Sequence, residues 1–222
     1  MRLIKKLVGV VLLCWASSSF AWMSIQFSVP GASIGFNAPA YPQFAPVPGY
    51  PVYYAPNMGA NYFYYDGMYW LYQDDNWYAA SWYNGPWGMV SPMEVPNMIL
   101  QVPVGYYRYP PAYFRGWARD EPPRWGEHWG PGWLHRREGW DAGWRRGHPD
   151  IRRAPLPDYQ RRFQGVHYPH DIRQQYMLHT RNFHYQPHEP MVRAQYHQMH
   201  GRMGGHPEGR PHGNEGDHGH NH

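Results

Sequence analysis

The shortage of aliphatic side chains is the feature that most constrains how this chain can fold. Leu, Ile, Val and Phe together make up 35 of its 222 residues, below the roughly 20% typical of a chain with a conventional hydrophobic core. The chain carries 12 Trp and 20 Tyr instead, so any core must be largely aromatic. A large aliphatic α/β enzyme core is therefore not expected, and a long bundle of membrane-spanning helices is excluded.

Residues 61–114 form the segment best suited to fold, because aromatic runs alternate there with tight-turn signals. Asp66-Gly67 and Asn84-Gly85 are dipeptides that favour two-residue hairpin turns, and aromatic side chains suit a pleated, half-buried surface. The expected fold class is mainly β, as a small antiparallel meander or an SH3-like barrel. The four predicted strands are Tyr62–Tyr65, Met68–Tyr72, Trp77–Trp82 and Trp87–Val90.

The N-terminus has the layout of a secretory signal peptide. A positively charged start (residues 2–6) precedes an apolar segment (residues 7–15) that is too short to span a bilayer. Small residues at Ser19 and Ala21 fit the positions that a signal peptidase reads. Residues 1–21 are therefore predicted to be cleaved off, and the protein is expected in the periplasm or cell envelope.

Cys14 is the only cysteine of the chain, and it lies inside the predicted signal. An uncleaved anchor is the alternative to cleavage before Trp22, and lipidation at Cys14 is a further one, but a lipoprotein signal needs a small residue where Leu13 stands. Cleavage leaves no thiolate ligand, no Cys nucleophile and no disulfide. It also removes three cations, so the net charge falls from +4 to +1, and nucleic acid is not an expected partner.

Residues 22–60 are predicted to contain a β-hairpin followed by a proline-rich strap. Apolar residues alternate around a Pro-Gly turn within Ile25–Phe36. Six prolines follow within Ala38–Pro56, and each fixes φ and removes a backbone donor, so extended or polyproline II backbone is expected. Two interpretations stay open: a ligand for the aromatic groove of a partner, or a stiff strap that lies on the next domain.

Residues 115–200 form an extension rich in Arg, Trp and His, with short helices expected at about Leu134–Arg146, His170–His184 and Pro190–Gly201. Apolar residues do not recur at a regular spacing from Gly201 onward. The Gly- and His-rich tail, residues 201–222, is therefore predicted to be disordered. The extension as a whole is expected to be partly helical and largely disordered. The predicted apolar faces are Ile172, Tyr176 and Phe183 in the second helix and Val192, Tyr196 and Met199 in the third.

Three short motifs give the aromatic segment a resemblance to a known group. They are Tyr-Tyr-Asp-Gly-Met-Tyr-Trp at 64–70, Tyr-Asn-Gly-Pro-Trp at 83–87 and Tyr-Tyr-Arg-Tyr-Pro-Pro at 106–111. From about Ser24 to Phe114 the chain resembles uncharacterised exported proteins of proteobacteria, which share an aromatic, proline-rich module and often a His/Arg/Gly-rich tail. The resemblance implies a small fold in the cell envelope, and it carries over no catalytic residue.

Histidine is confined to the C-terminal half, since all 15 histidines lie at or after His128. Neutral imidazole is a common protein ligand for Zn, Cu and Ni, so a flexible His-rich chain can wrap one of these ions. No cofactor is expected to be required. The predicted metal ligands are His212, His218, His220 and His222 in the tail, with His197, Met199 and His200 as a second cluster whose thioether suits Cu(I).

Paired arginines support an alternative function. The pairs stand among aromatic residues, and guanidinium groups bind phosphate and carboxylate and stack on rings. Such surfaces would bind anionic envelope polymers or protein partners in a structural or adhesive role. No nucleophile motif or phosphate-binding loop occurs, so an enzyme is not expected. The leading hypothesis is an exported protein that buffers or sequesters transition-metal ions. The arginine pairs are Arg136-Arg137, Arg145-Arg146, Arg152-Arg153 and Arg161-Arg162.

Overall fold

A computed structural model describes residues 34, 36–144 and 152–204. The predicted signal peptide, most of the predicted hairpin at Ile25–Phe36 and the tail beyond Gly204 lie outside the described residues. The strands are β1 (Ala45–Pro46), β2 (Val52–Tyr54), β3 (Asn61–Tyr65), β4 (Met68–Gln73), β5 (Asn76–Ala80) and β6 (Gly88–Val90). The helices are α1 (Asn97–Leu100), α2 (Trp125–Arg136), α3 (Ile172–Asn182) and α4 (Pro190–Gly204).

The six strands form one antiparallel sheet in the order β1-β2-β3-β4-β5-β6. The mainly β class and the antiparallel meander are thereby confirmed. The expectation of an SH3-like barrel is wrong, because the sheet stays open: the outer strands of the described sheet, β1 and β6, each have one neighbour. The turn between β3 and β4 uses the predicted Asp66-Gly67, whose φ angles of 47° and 89° are left-handed, as this type of turn requires.

The proline-rich segment supplies the first two strands. β1 pairs with β2, and β2 pairs with β3, so the segment continues the meander at its edge. Pro46 lies in the outermost strand, where its missing N–H disturbs no inner ladder. Residues 38–56 therefore contribute to the sheet of the same chain.

Both faces of the sheet are covered, so the central strands are buried on both sides. The first face carries Phe63, Trp70 and Trp77, which pack against α1, α2 and Val192 of α4. The opposite face carries Tyr62, Tyr64, Tyr69 and Leu71, which pack against residues from both the proline-rich segment and the segment 154–168. Alternate residues of each strand thus face two different cores.

The extension is an ordered part of this fold in residues 115–144 and 152–200, contrary to the expectation of a largely disordered region. α4 begins at the predicted Pro190 and extends to Gly204. The predicted helix at Leu134–Arg146 is wrong, because α2 ends at Arg136 and is itself broken at Gly130, where φ is 80°. No helix among the described residues combines the length and the apolar character needed to cross a membrane.

The predicted apolar face of α3 is also wrong. Its buried residues are Gln175 and His179, whereas Tyr176 is exposed. Gln175 is satisfied by the carbonyls of Gly85 and Pro169, at 3.1 and 2.7 Å from its Nε2. The hydrogen bond from Gln175 to Gly85 therefore holds α3 against the connection between β5 and β6.

Arg137 connects α2 to its neighbours from a buried position. Its Nη1 donates to the Met93 carbonyl at 2.7 Å, and its Nη2 donates to the Val95 carbonyl at 2.8 Å and to Asn97 Oδ1 at 2.5 Å. The guanidinium also contacts Met191 of α4 through its sulfur, at 3.2 Å. One side chain thus joins three helices on the first face of the sheet.

Replacing Arg137 with Met should destabilise the protein by about 2–4 kcal/mol, because it leaves buried carbonyls without donors. The matched control is Arg136→Met, since Arg136 is exposed, and a surface change of this kind stays within about 0.5 kcal/mol. The free energy of unfolding from urea titration measures both. Equal losses in the two variants would contradict the connecting role of Arg137.

Candidate metal centre

His179 on α3 is the most enclosed histidine of the described chain, with 1% of its surface exposed. Its Nδ1 lies 2.9 Å from the hydroxyl of Tyr159. Its Nε2 is buried and makes no hydrogen bond within the described residues. A buried polar atom without a partner costs free energy, and this nitrogen is one of several such atoms in the described core.

His200 on α4 lies beside His179. The two ring centroids are 5.8 Å apart, and the ring planes are inclined by 24°. His200 is 8% exposed, and its Nδ1 is also buried without a well-formed hydrogen bond to any described residue. We call His179 and His200 the histidine pair.

The surroundings of the histidine pair are aromatic. Tyr196 lies 4.1 Å and Tyr176 lies 5.4 Å from His200, measured between ring centroids. Phe183 lies 5.2 Å from His179 in the same way. These rings exclude water from the pair and provide no formal charge at neutral pH.

Burial keeps both imidazoles neutral. It lowers the pKa of His179 to about 3, with a smaller contribution from His200. Burial also lowers the pKa of His200 to about 4; the Tyr196 carbonyl opposes this shift and His197 adds to it. Neutral imidazole is the form that binds a metal ion, so the pair is in the ligand form at physiological pH.

Both helices are held to the sheet through its turns. The carboxylate of Asp66, in the β3–β4 turn, accepts from the backbone N–H groups of His188 and Glu189, each at 2.8 Å, just before α4 begins. The indole of Trp82 donates to the Gln175 carbonyl of α3 at 3.2 Å. The crossing of α3 and α4, and with it the histidine pair, is therefore fixed by the aromatic sheet.

The structure separates the residues of the predicted second cluster. His200 belongs to the histidine pair, whereas His197 is exposed one turn away along α4. Met199 packs against the core on the first face of the sheet. His179 was not identified from the sequence. His179 follows Gln175 by four residues, so both side chains lie on one face of α3, and this spacing could have indicated a polar face. No group of three or more His, Cys, Asp or Glu side chains suited to a metal occurs among the residues described. His212, His218, His220 and His222 lie outside the described residues.

A second polar cluster surrounds Asp75 in the β4–β5 turn. Its Oδ1 accepts from the hydroxyls of Tyr72 and Tyr113, at 2.5 and 2.8 Å, and lies 2.7 Å from His128 Nε2. The His128 ring also stacks on Tyr113, with 3.9 Å between the centroids. Burial opposes ionisation of Asp75, but these hydrogen bonds outweigh it and hold its pKa below the ordinary value. The cluster attaches α2 to the sheet.

No family model, no curated protein and no solved structure matches the chain.

The histidine pair should make stability fall as the pH falls from 7 to 5. The unfolded chain takes up a proton near pH 6.5, whereas folded His179 resists protonation down to about 3. This difference destabilises the metal-free protein by about 2 kcal/mol at pH 5. In His179→Phe this part of the pH dependence should disappear, as measured by urea unfolding at the two pH values.

The matched control for that measurement is His197→Asn, because His197 is exposed on the same side of α4. It should keep most of the pH dependence, because burial contributes more than His197 to the lowered pKa of His200. An unchanged pH dependence in His179→Phe would show that His179 is not a buried neutral imidazole.

Replacing Asp75 with Asn should destabilise the protein by about 1–2 kcal/mol, because three hydrogen bonds to a charged oxygen become weaker. Asn tolerates the left-handed φ of 63° at this position, so the change tests the charge alone. The control is Asp74→Asn, whose φ of 49° is also left-handed. If thermal unfolding shows equal losses for both, the Asp75 cluster does not attach α2.

Proposed function

We propose that this protein is an exported, non-catalytic protein of the periplasm or cell envelope that binds transition-metal ions and thereby buffers or sequesters Cu, Ni or Zn. The observation that supports the proposal is the histidine pair, in which both rings are buried and neutral and His179 Nε2 makes no hydrogen bond to any described residue. A metal ion is the ligand that such nitrogens bind.

The chain that follows the pair extends the same chemistry. α4 carries His200 close to its C-terminal end at Gly204, and the sequence beyond it holds His206, His212, His218, His220 and His222. The tail ligands are therefore tethered next to the pair. Imidazoles on a tethered chain act at high effective concentration, so one ion can be shared or passed between sites.

The surroundings of the pair favour storage of an ion over catalysis. The rings of Tyr176, Tyr196 and Phe183 enclose the imidazoles, whereas a catalytic metal keeps an open position for water or substrate. We therefore propose a non-catalytic role.

The described arginines give less support to the alternative of polymer binding. Arg137 and Arg153 donate to backbone carbonyls inside the protein. Arg161 stacks over Tyr41, 4.5 Å from the ring centroid, and Arg162 donates to Asn182 at 3.0 Å. Guanidinium groups used in this way have less capacity for an anionic polymer.

The test is a competitive titration of the full chain with Zn, Ni and Cu against a chelator of known affinity. We compare the native chain with a tail variant in which four tail histidines become Asn. The tail variant should bind fewer ions per chain and lose at least one ion that competes with the chelator. Its substitutions are H212N, H218N, H220N and H222N.

The matched control replaces four exposed histidines of the folded region, which keeps the number of lost imidazoles the same. It should bind as the native chain does. A native chain that fails to compete with the chelator for any of the three metals would overturn the proposed function. The control substitutions are H135N, H167N, H170N and H184N, all at exposed positions.

A further inference from the structure

We propose that the histidine pair is itself a buried two-imidazole site selective for monovalent Cu(I), distinct from the tail. This inference rests on the proposed function for its biological meaning, but it concerns a site with its own geometry. His179 belongs to no ligand cluster recognisable from the sequence, and the site exists only because α3 and α4 cross.

The spacing of the rings fits one shared ion. A metal–nitrogen bond of about 2.0 Å places the ion roughly 3 Å from the centroid of each ligating ring, so two rings on one ion stand at most about 6 Å apart. The histidine pair, at 5.8 Å between centroids, is close to this limit. With one nitrogen of each ring turned toward the ion, this separation corresponds to a wide nitrogen–metal–nitrogen angle, which Cu(I) accepts and which tetrahedral Zn does not prefer.

The hydrogen-bond partner of His179 leaves the correct nitrogen available. With its proton on Nδ1, His179 donates to the oxygen of Tyr159, which also accepts from Gln160 Nε2 at 3.1 Å. A hydroxyl oxygen has two lone pairs and can accept both bonds. The buried Nε2 then carries the lone pair, and it has no hydrogen-bond partner among the described residues. Support of this kind for a metal-ligating histidine orients the ring and increases its basicity.

Tyr159 is in turn held by a rigid network. Gln160 is fully buried, and its Oε1 accepts from the hydroxyl of Tyr69 at 3.0 Å and from the backbone N–H of Tyr83 at 3.1 Å. Its Nε2 also donates to the Ser81 carbonyl at 3.0 Å. The orientation of His179 is thus set before any ion arrives, which reduces the ordering cost of binding.

The charge of the pocket selects the ion. Burial and neighbouring histidines are the causes of the pKa shifts of both rings, with the Tyr196 carbonyl as the other contributor for His200, and no carboxylate contributes. Without a counter-charge, the cost of moving an ion into a low-dielectric pocket rises with the square of its charge. A monovalent ion is therefore favoured over Zn²⁺ or Ni²⁺, and imidazole is a suitable ligand for copper.

The test is an anaerobic titration of the tail variant with Cu(I) against a chromophoric Cu(I) chelator. This variant should retain one Cu(I) per chain, and X-ray absorption should show two nitrogen ligands. Adding His179→Phe should weaken this binding at least 100-fold. Zn²⁺ should not occupy the site in the tail variant.

A second substitution and a fold control make the result decisive. Adding His200→Phe to the tail variant should have the same effect as His179→Phe, whereas adding His197→Asn should have none. Near-UV circular dichroism of the tryptophans checks that each variant is folded. Retention of Cu(I) in folded His179→Phe and His200→Phe variants would overturn the inference.

The outcomes separate this inference from the proposed function. If the native chain binds metal but the tail variant binds no Cu(I), the function stands and the two-imidazole site is wrong. If the tail variant binds Zn²⁺ as tightly as Cu(I), the selectivity is wrong. If the native chain binds no metal at all, both proposals fall.

Discussion

The fold depends on pairing the hydroxyl groups that an aromatic core buries. Tyrosine supplies the apolar area that the scarce aliphatic residues cannot, but its hydroxyl is costly in a core unless it is hydrogen-bonded. Three hydroxyls of the sheet region are bonded by the segment 155–163, which makes the extension part of the core. The pairs are Tyr64 with the Pro155 carbonyl, Tyr69 with the Gln160 side chain and Tyr83 with the Phe163 carbonyl.

The strands of the meander were predictable because their signals are local. Asp66-Gly67 specifies a turn within two residues, and the aromatic runs on either side match β3 and β4 nearly to their ends. The packing of the extension was not predictable, because polar residues mediate it. α3 buries Gln175 and His179, so a search for apolar periodicity selects the wrong face.

The candidate site was predictable only in part, for a related reason. His200 could be proposed as a ligand from its i,i+3 spacing to His197 along one helix. Its partner in the structure is His179 instead, on another helix. That contact arises from how α3 and α4 are each attached to the sheet, which neither helix encodes in its own sequence pattern.

The proposed site at the histidine pair and the predicted tail ligands would bind an ion in two different ways. Imidazoles on a flexible chain are hydrated when free and lose conformational freedom when they bind. The histidine pair loses hydration during folding, and His179 Nε2, without a partner among the described residues, leaves the metal-free protein less stable than it would be with a ligand. Whatever binds the folded pair stabilises the crossing of α3 and α4 by mass action. Occupancy of the pair would thus fix α4, the helix that precedes the tail in the sequence.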